Sequence, residues 1–334
     1  MPQEDGGIIF DTCDVYFPDA CMPCFEFVGE EKYALKSHLQ TFTNDPASTE
    51  EPMLLFPGPQ PMSIDSGHFS SIRGRQFCVA PKTDGVRACV MFTRYRGADI
   101  CCAFDRTLQR VFGIRVHKAP SAMFQGTILD CEIVVNQNTQ EFHILIFDAF
   151  ILCGQPLFHK PFSTRLGSVH TCLDMCGYHF TYGDSGILEV KQFTMVKAGM
   201  YQPSDSRFFN DGYIFMPEQE PIVFGRSESV FKLKTCHSVD FLYKSGILNI
   251  FNTKTRRYVK AGVVEEENPS CEGQIVECVL VKNNATSSRR VWRVLKIRAD
   301  KTKSNSLFVM EKTILNIEEN LSFSDIVNVI NSKM

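Results

Sequence analysis

Lys82-Thr83-Asp84-Gly85-Val86-Arg87 (KTDGVR) lies between two β-type runs, Phe77–Ala80 and Val86–Thr93. Lys82 is therefore predicted to project from a strand edge or a turn, and Gly85 permits a tight backbone path beside a phosphate or a sugar. A lysine attacks phosphorus only when its amine is neutral. Because the free pKa is about 10.4, this requires burial or a nearby cation, and a bound divalent metal ion would supply part of that charge. Taken alone, the motif also fits a surface lysine beside a turn.

Further short motifs follow along the chain, most of them at the ends of predicted strands. In order they are Phe104-Asp105-Arg106, Asp130-Cys131-Glu132, Ile146-Phe147-Asp148-Ala149, Asp211-Gly212-Tyr213-Ile214, Phe231-Lys232-Leu233-Lys234 and Arg298-Ala299-Asp300-Lys301. The alternation in the fifth motif places its two lysines on one face of a strand. Each motif alone has an ordinary interpretation as a core aromatic, a surface carboxylate or an exposed strand face, so only the ordered set points to a shared site.

The periodicity indicates an α+β fold in which strands dominate the first part. After a connector over Asn44–Pro61, the predicted strands are Phe77–Ala80, Val86–Thr93, Ile100–Phe104, Thr127–Val135 and His143–Phe150, with further strand patterns near Leu188, Tyr213 and Val230. Phe162–Cys176 is predicted to form a helix with Ser163 as its N-cap.

From about Val239 the strands become closely spaced, as in VDFLY, ILNIF, RYVKAG, QIVECVLV and RVWRVLKIR. Five short strands with turns between them suit a small barrel of the OB type. Helical spacing follows in Leu307, Met310, Ile314, Ile317 and Leu321, and the pair Ser322 and Asp325 predicts a capping box for a final short helix. We therefore expect a first domain over residues 1–237 and a barrel over 238–319, with a helix at about 320–334 that packs back on the first domain.

The composition limits the classes of protein that fit. At 334 residues the chain is long enough for two domains, and 44% hydrophobic with 22% charged residues is normal for a globular protein. No long apolar run and no secretory signal is visible, so an intracellular protein without a membrane span is expected. The net charge of −3 is unlike that of a protein that coats nucleic acid, so an RNA substrate would need a local basic patch. The candidate patch, which also fits a solvated strand face, is Arg289, Arg290, Arg293, Lys296, Arg298, Lys301 and Lys303.

The chain has 14 cysteines. Without an export signal they are expected to be thiols in a reducing compartment. Cys21 and Cys24 form a CxxC between Cys13 and His38, which would suit zinc. No second CxxC follows at finger spacing, so unligated thiols are the favoured interpretation.

The ordered motifs resemble those of the covalent nucleotidyltransferase superfamily, which comprises capping guanylyltransferases, ATP-dependent DNA ligases and RNA ligases. The sequence looks most like the compact mRNA capping enzymes of large DNA viruses. Besides the motifs above, the resemblance rests on FPGPQPMSI, MFTR, FDRTLQRV, FQGTILDCE, LIFDAF, NDGYIFMPEQEPIVFGR, VDF, IVEC and EKTILNIEEN, and it covers about Phe56 to the end. It implies an ATP-grasp-like nucleotidyltransferase domain of antiparallel sheets, followed by an OB-fold barrel and C-terminal helices.

The resemblance also implies roles for the matching residues. Lys82 matches the nucleophile that becomes guanylylated, and Asp84 belongs to the same catalytic motif. The barrel-domain residues Arg298, Asp300 and Lys301 match a motif that clamps the leaving pyrophosphate. In-line attack needs the pyrophosphate opposite the amine, and a closing barrel would enforce that geometry and exclude water.

The remaining matches surround the nucleotide. Arg87, Arg106 and Glu132 match positions that contact the sugar, and Phe147 matches the aromatic that stacks on the purine. Cys131 stands where family members commonly have glycine, which adds a Cβ beside Glu132.

Other residues match the positions that bind the phosphates, the metal ion and the base in this family. Lys232 and Lys234 match lysines that hold the α-phosphate. Asp211 matches the acidic residue linked to a divalent cation, Mg²⁺ or Mn²⁺. Lys191, in ILEVKQF, aligns with a lysine that contacts guanine O6 in one viral member of the family. A cation there favours guanine over adenine, although a solvent-facing strand lysine fits equally well.

Three hypotheses follow. The first is a GTP:RNA guanylyltransferase that acts on RNA with a 5′-diphosphate end, and the second is an ATP-dependent polynucleotide ligase that forms a lysyl-AMP. The third is an RNA-binding barrel with an inactive nucleotide domain, against which the intact motif set argues. For the first, we expect a monomer with a separate RNA triphosphatase and cap methyltransferase, in the host nucleus or a cytoplasmic virus factory.

Overall fold

The computed structural model of the chain describes residues 3–5, 8–10, 12–16, 23–43, 56–114, 119–174, 180–182, 186–281, 290–299 and 301–333. Three residues with predicted roles, Cys21, Arg289 and Asp300, lie outside these ranges, as does the side chain of Cys13. The chain splits into two compact units. The large unit comprises Met1–Met62, Ile72–Lys232 and Val327–Met334, and the small unit comprises Ser63–Ser71 and Leu233–Ile326.

Strands make up most of the regular structure in the described ranges. The strands are β1 Gln3–Asp5, β2 Ile8–Phe10, β3 Thr12–Tyr16, β4 Pro23–Phe27, β5 Pro59–Ser63, β6 Phe77–Thr83, β7 Val86–Tyr95, β8 Ala98–Asp105, β9 Val111–Ile114, β10 Thr127–Val135, β11 Phe142–Leu152, β12 Gln155–Pro156, β13 Phe180–Tyr182, β14 Gly186–Val190, β15 Thr194–Met195, β16 Asn210–Pro217, β17 Gly225–Lys234, β18 Ser238–Lys244, β19 Ile247–Asn252, β20 Arg257–Val264, β21 Ile275–Leu280 and β22 Val291–Ile297. The α-helices are α1 Gly29–Thr43, α2 Phe69–Ile72, α3 Phe162–Asp174, α4 Leu307–Glu319 and α5 Phe323–Asn331. None of the described helices is long and apolar enough to cross a membrane.

Besides the two-stranded sheet of β1 and β2, two larger and mainly antiparallel sheets build the large unit. A ten-stranded sheet has the order β13-β14-β11-β10-β7-β8-β9-β4-β3, with β12 paired to β11. A five-stranded sheet has the order β15-β6-β16-β17-β5. The predicted α+β class with antiparallel sheets is thereby confirmed. The five predicted strand runs between residues 77 and 150 form β6, β7, β8, β10 and β11, most of them longer than predicted.

The ten-stranded sheet is buried on both faces. Along β7, Ala88, Val90 and Phe92 enter one apolar cluster, whereas Cys89 and Met91 enter a second one. Helix α3 covers the first face with residues at positions 162, 166, 169 and 173, which is the spacing of one helical stripe. Helix α1 contributes residues 35 and 39 to the second face. Burial on both faces explains why the central strands are almost continuously apolar.

Three local predictions are wrong. Ser163 lies inside α3 rather than at its N-cap, because its backbone N–H and its hydroxyl both donate to the carboxylate of Glu218, at 3.2 and 2.5 Å. The predicted connector ends too late, since β5 begins at Pro59 as an edge strand, where proline is tolerated. Leu321 lies beyond α4, which ends before Asn320 with a left-handed φ of 46°.

The small unit contains a closed barrel of β18, β19, β20, β22 and β21. Trp292 is fully buried in its core and packs edge-on against Phe241 at 4.8 Å between ring centroids. Met310 and Ile314 of α4 close the same core. The predicted capping box before α5 is confirmed, because Ser322 and Asp325 exchange backbone and side-chain hydrogen bonds.

Candidate active site

The predicted nucleophile lies at the end of β6, opposite an irregularity in β16. The register between these strands shifts between Asn210 and Tyr213, so β16 carries an extra residue opposite Lys82. Gly212, with a φ of 147°, supplies the backbone conformation of this bulge. As a result the carboxylate of Asp211 reaches the amine, with 2.7 Å between Asp211 Oδ1 and Lys82 Nζ. The structure thus brings together the predicted nucleophile and the predicted metal-binding residue.

A hydroxyl next to the nucleophile joins the two sheets of the large unit. Lys191 Nζ donates to Thr83 Oγ1 at 2.7 Å, and Thr83 Oγ1 donates in turn to Glu132 Oε2. Lys191 Nζ also lies 3.6 Å from that carboxylate oxygen. Burial lowers the pKa of Lys191, the carboxylate of Glu132 opposes this shift, and the positive charge of Lys82 adds to it. Lys191, the predicted ligand of the base, and Glu132, a predicted ligand of the sugar, therefore both hydrogen-bond to the residue after Lys82. Sequence reasoning did not predict this role of Thr83.

Arg87 is held rigidly on β7. Its Nε donates to Asp130 Oδ1 at 2.8 Å, its Nη2 donates to the second oxygen of the same carboxylate, and its Nη1 donates to the carbonyl of Pro59 at 2.9 Å. The Arg87 Cζ lies 4.9 Å from the Phe56 ring centroid and 5.3 Å from that of Phe147. Asp130 is fully buried, and burial raises its pKa to about 6 against the opposing effect of Arg87. Asp130 therefore fixes the direction of a predicted sugar ligand.

The other predicted nucleoside ligands lie on adjacent strands. Glu132 pairs in register with Arg87, and Phe147 is a half-buried residue of the next strand, β11. Lys191 follows β14 and donates its backbone N–H to the carbonyl of Ile146 at 2.8 Å, directly beside Phe147. Cys131 points away from this face into the core, which explains how Cβ is tolerated there.

Arg106 and Asp84 occupy exposed turns at the edge of this region. Arg106 directly follows β8, and desolvation together with the positive charge of Arg87 lowers its pKa. Asp84 is exposed, and its backbone N–H donates to the carbonyl of Phe209 at 2.9 Å. Asp84 thus anchors the turn that follows the predicted nucleophile.

The predicted phosphate lysines alternate with buried residues on β17. Lys232 and Lys234 are half-buried, whereas Phe231 and Leu233 are buried, so the predicted shared face is confirmed. Strand β17 is hydrogen-bonded to β16, which carries Asp211. Lys232 belongs to the large unit and Lys234 to the small unit.

The predicted pyrophosphate clamp belongs to the small unit. Arg298 Nη1 lies 3.3 Å from Asp240 Oδ1, and Lys301 contacts the other oxygen of the same carboxylate. The proposed basic patch is largely paired: Arg293 Nε lies 2.8 Å from Glu265, and Lys296 Nζ lies 3.6 Å from Glu277. The sequence pattern missed these partners because they come from neighbouring strands and turns rather than from nearby sequence.

The candidate zinc site cannot be assembled from the described residues, because Cys21 lies outside them. His38 Nε2 lies 2.6 Å from Thr93 Oγ1. Within the part of the chain that the structure describes, no group of three or more His, Cys, Asp or Glu side chains is arranged to hold a metal ion. Asp211 therefore has no second carboxylate, histidine or cysteine grouped with it among the described residues in a three-ligand metal site. A single carboxylate ligand suits a cation that is also held by phosphate oxygens.

A lysine at a strand end that contacts a carboxylate, with cationic and aromatic side chains on strands of the adjoining sheet, is the arrangement expected of a covalent nucleotidyltransferase. Residues 20–236 match the family model of the mRNA capping enzyme catalytic domain, and residues 227–327 match that of its C-terminal domain. The chain therefore belongs to the mRNA capping enzyme family, as the sequence motifs predicted.

Three similar proteins that are named as mRNA-capping enzymes agree with this assignment. The mRNA-capping enzyme subunit alpha of Yarrowia lipolytica is 24% identical over 84% of this chain and 83% of its own length. The subunit alpha of Schizosaccharomyces pombe is 23% identical over 81% of this chain and 79% of its own length. The mRNA-capping enzyme of Caenorhabditis elegans is 24% identical over 78% of this chain and 46% of its own length. Among solved structures, a mycobacterial DNA ligase D complexed with ATP and MES aligns with a TM-score of 0.41 at 14% identity, over 73% of this chain and 96% of that one.

Proposed function

We propose that the chain is a GTP:RNA guanylyltransferase that links GMP to Lys82 and transfers it to the 5′-diphosphate end of an RNA. The observation that carries the proposal is the position of Lys82, whose amine lies 2.7 Å from Asp211 at the end of β6. Family membership supports the reaction, and the Lys191 ammonium, which donates to the residue next to Lys82, supports phosphate chemistry.

The first half-reaction forms a phosphoramidate. The neutral Nζ of Lys82 attacks the α-phosphorus of GTP, the N–P bond forms, and the bond from phosphorus to the bridging oxygen breaks. Pyrophosphate leaves with that electron pair, and the attacking nitrogen gives up one proton to solvent. Asp211 orients the amine through the 2.7 Å contact. Lys232, on the strand next to Asp211, is placed to stabilise charge on the α-phosphate. In the second half-reaction an oxygen of the RNA terminal phosphate attacks the same phosphorus, the N–P bond breaks, and Lys82 leaves as an amine because its nitrogen takes up a proton from solvent.

A divalent cation, Mg²⁺ or Mn²⁺, fits this site. Asp211 offers a single carboxylate, and Mg²⁺ is commonly held by one or two carboxylates together with substrate phosphates. The cation would offset phosphate charge when bound. Asp211 would hold the cation through its carboxylate.

Guanine specificity is assigned to Lys191. Its side chain is buried and its ammonium donates to Thr83, while its backbone N–H bonds to the carbonyl of Ile146, the residue before Phe147. A hydrogen-bond acceptor such as guanine O6 therefore suits this cation better than the amino group of adenine. The alternative, an ATP-dependent polynucleotide ligase, shares the lysine adduct but requires adenine at this position.

The remaining assignments follow the same proposal. Residues 1–237 form the nucleotidyltransferase domain and residues 238–319 form a barrel of the OB type, whose Arg298, Asp300 and Lys301 clamp pyrophosphate. The enzyme is a monomer of viral origin that acts in the nucleus or a cytoplasmic factory. A separate RNA triphosphatase supplies the diphosphate end, and a separate methyltransferase modifies the cap.

The test is adduct formation with α-labelled GTP and, in parallel, α-labelled ATP, each with Mg²⁺ or Mn²⁺, followed by denaturing gels. We expect an acid-labile label from GTP that is absent in Lys82→Ala. Lys191→Met is the matched variant, because it keeps a long buried side chain but removes the cation, and it should lower the preference for GTP over ATP. Labelling from ATP alone would assign the protein to the ligases, and no label from either nucleotide would reject the proposed chemistry.

A further inference from the structure

Phe209 is a large aromatic side chain that is 69% exposed beside the nucleophile. Its carbonyl accepts the backbone N–H of Asp84 at 2.9 Å, and the next residue, Asn210, pairs in register with Thr83. Phe209 therefore lies across from the turn that follows Lys82. Single exposed aromatics are ordinary on protein surfaces, but the backbone of this one is hydrogen-bonded to Asp84, two residues after Lys82.

The segment that carries Phe209 is anchored by its buried neighbour. Phe208 is 1% exposed and packs edge-on against the ring of His143, with 5.1 Å between centroids. Arg207 precedes it and forms ion pairs at 3.0 Å with Glu189 and at 2.9 Å with Asp205. Because the preceding residues are fixed, Phe209 projects from a defined backbone position, and little ordering entropy is lost when a ligand contacts its ring.

We propose that Phe209 is a stacking platform for an unpaired base near the 5′ end of the acceptor RNA. This inference rests on the proposed function, since the RNA terminal phosphate must approach the phosphorus carried by Lys82. The first nucleotides of the RNA then lie beside the turn that contacts Phe209. Unpaired RNA bases are commonly bound by stacking on aromatic side chains, and such stacking accepts every base.

The charge distribution favours this mode of binding. The chain carries a net charge of −3, and in the predicted basic patch the side chains of Arg293, Lys296 and Arg298 each have carboxylate partners. RNA affinity that rests on unpaired cations would be correspondingly small. A neutral stacking surface next to the amine holds RNA of any sequence and depends less on salt.

The two half-reactions separate this proposal from the proposed function. Lysine labelling by GTP needs no RNA, transfer to RNA with a 5′-diphosphate uses the proposed platform, and transfer back to pyrophosphate uses an acceptor that has no base. We would measure all three in Phe209→Ala, Phe209→Leu and Phe209→Trp. Tyr33→Ala is the matched control, because Tyr33 is 64% exposed on α1, which packs beside β9 of the ten-stranded sheet.

We expect Phe209→Ala and Phe209→Leu to raise the KM for RNA by roughly 5- to 150-fold, as loss of one stacked base implies. Phe209→Trp should keep the KM for RNA near that of the wild type. Labelling of Lys82 by GTP and transfer of GMP back to pyrophosphate should proceed in all variants. Equilibrium binding of the same RNA, measured by fluorescence anisotropy, should weaken in parallel.

An unchanged KM for RNA and unchanged RNA binding in Phe209→Ala would overturn the proposal. The exposed ring would then be a candidate contact for another partner, such as a protein. A Leu variant equal to the wild type would also overturn it, because stacking requires a flat ring. Failure of the wild-type enzyme to form the lysine adduct would instead reject the proposed function, and the acceptor platform with it.

Discussion

The ion pair between Arg87 and Asp130 gives a sharp test of how the site is built. Asp130 is fully buried and the side chain of Arg87 is 16% exposed. Replacing Asp130 by Leu would leave the guanidinium with the carbonyl of Pro59, at 2.9 Å, as its remaining protein acceptor among the contacts described above. Breaking a buried pair from one side costs about 3–5 kcal/mol, because the other charge stays buried without its partner.

The double variant Asp130→Leu/Arg87→Met should be less destabilised than Asp130→Leu alone. It removes both charges, and the methionine side chain can pack against the rings of Phe56 and Phe147, which now lie 4.9 and 5.3 Å from the guanidinium carbon. We therefore expect the coupling free energy between the two sites to exceed the cost of Arg87→Met alone, which is about 3 kcal/mol or more.

The assay must report on the large unit. The sole tryptophan, Trp292, lies in the small unit, so its fluorescence during urea unfolding should be nearly unchanged by these variants and serves as an internal control. Far-UV circular dichroism follows the large unit, which holds most of the strands. Two results would show that the argument from a buried, uncompensated charge is wrong. One is a loss of unfolding free energy in the double variant that equals the sum of the losses in the two single variants. The other is a loss of less than about 1 kcal/mol in Asp130→Leu.

Two further predictions concern the same region. Gly58→Ala should destabilise the large unit by about 1–3 kcal/mol, because its Cβ would lie 2.6 Å from both Arg87 Nη2 and Asp130 Oδ2. By contrast Gly167→Ala, inside α3 with open space around the new Cβ, should stabilise by about 0.5–1 kcal/mol, and the opposite order in urea unfolding would refute the steric argument. The second prediction concerns pH. Since burial raises the pKa of Asp130 to about 6, above its unfolded value of about 3.9, the folded state binds the extra proton, so this contribution to stability is complete below about pH 4 and is lost as pH rises through 6. Relative to Asp130→Asn, the wild type should lose free energy of unfolding from pH 4 to 7, and a relative gain would show that Arg87 dominates the titration.

The sequence predicted the strands and the family because both depend on local pattern. TILDCEIVV forms β10 over its full predicted length, and the ordered motifs led to the capping enzymes. The pattern could not predict the bulge that brings Asp211 to Lys82. An extra residue in β16 has meaning only relative to the register of β6, and register is set by the packing of the two strands.

Thr83, Asp130 and Phe209 were missed for a related reason. Each lies within or next to a predicted motif, but the role of each depends on a partner far away in sequence: Thr83 with Lys191, Asp130 with Arg87, and Phe209 with the turn at Asp84. One indication was available, since Asp130 and Glu132 are two residues apart on one strand and so share a face. The Gly58 in FPGPQP was a second indication, since a glycine there leaves room for a buried ion pair.

The two sheets of the large unit carry different parts of the proposed reaction. The proposed base and sugar ligands lie on or directly after strands of the ten-stranded sheet, whereas Lys82, Asp211 and Lys232 lie on the five-stranded sheet. A mutation that changes base preference can therefore leave the strand pairing around the proposed nucleophile intact. The hydroxyl of Thr83 links the two sheets, because it accepts a hydrogen bond from Lys191 and lies next to Lys82 in sequence. A base that draws Lys191 away from Thr83 also disturbs the residue next to the nucleophile, so inherited changes of specificity should include compensation at position 83.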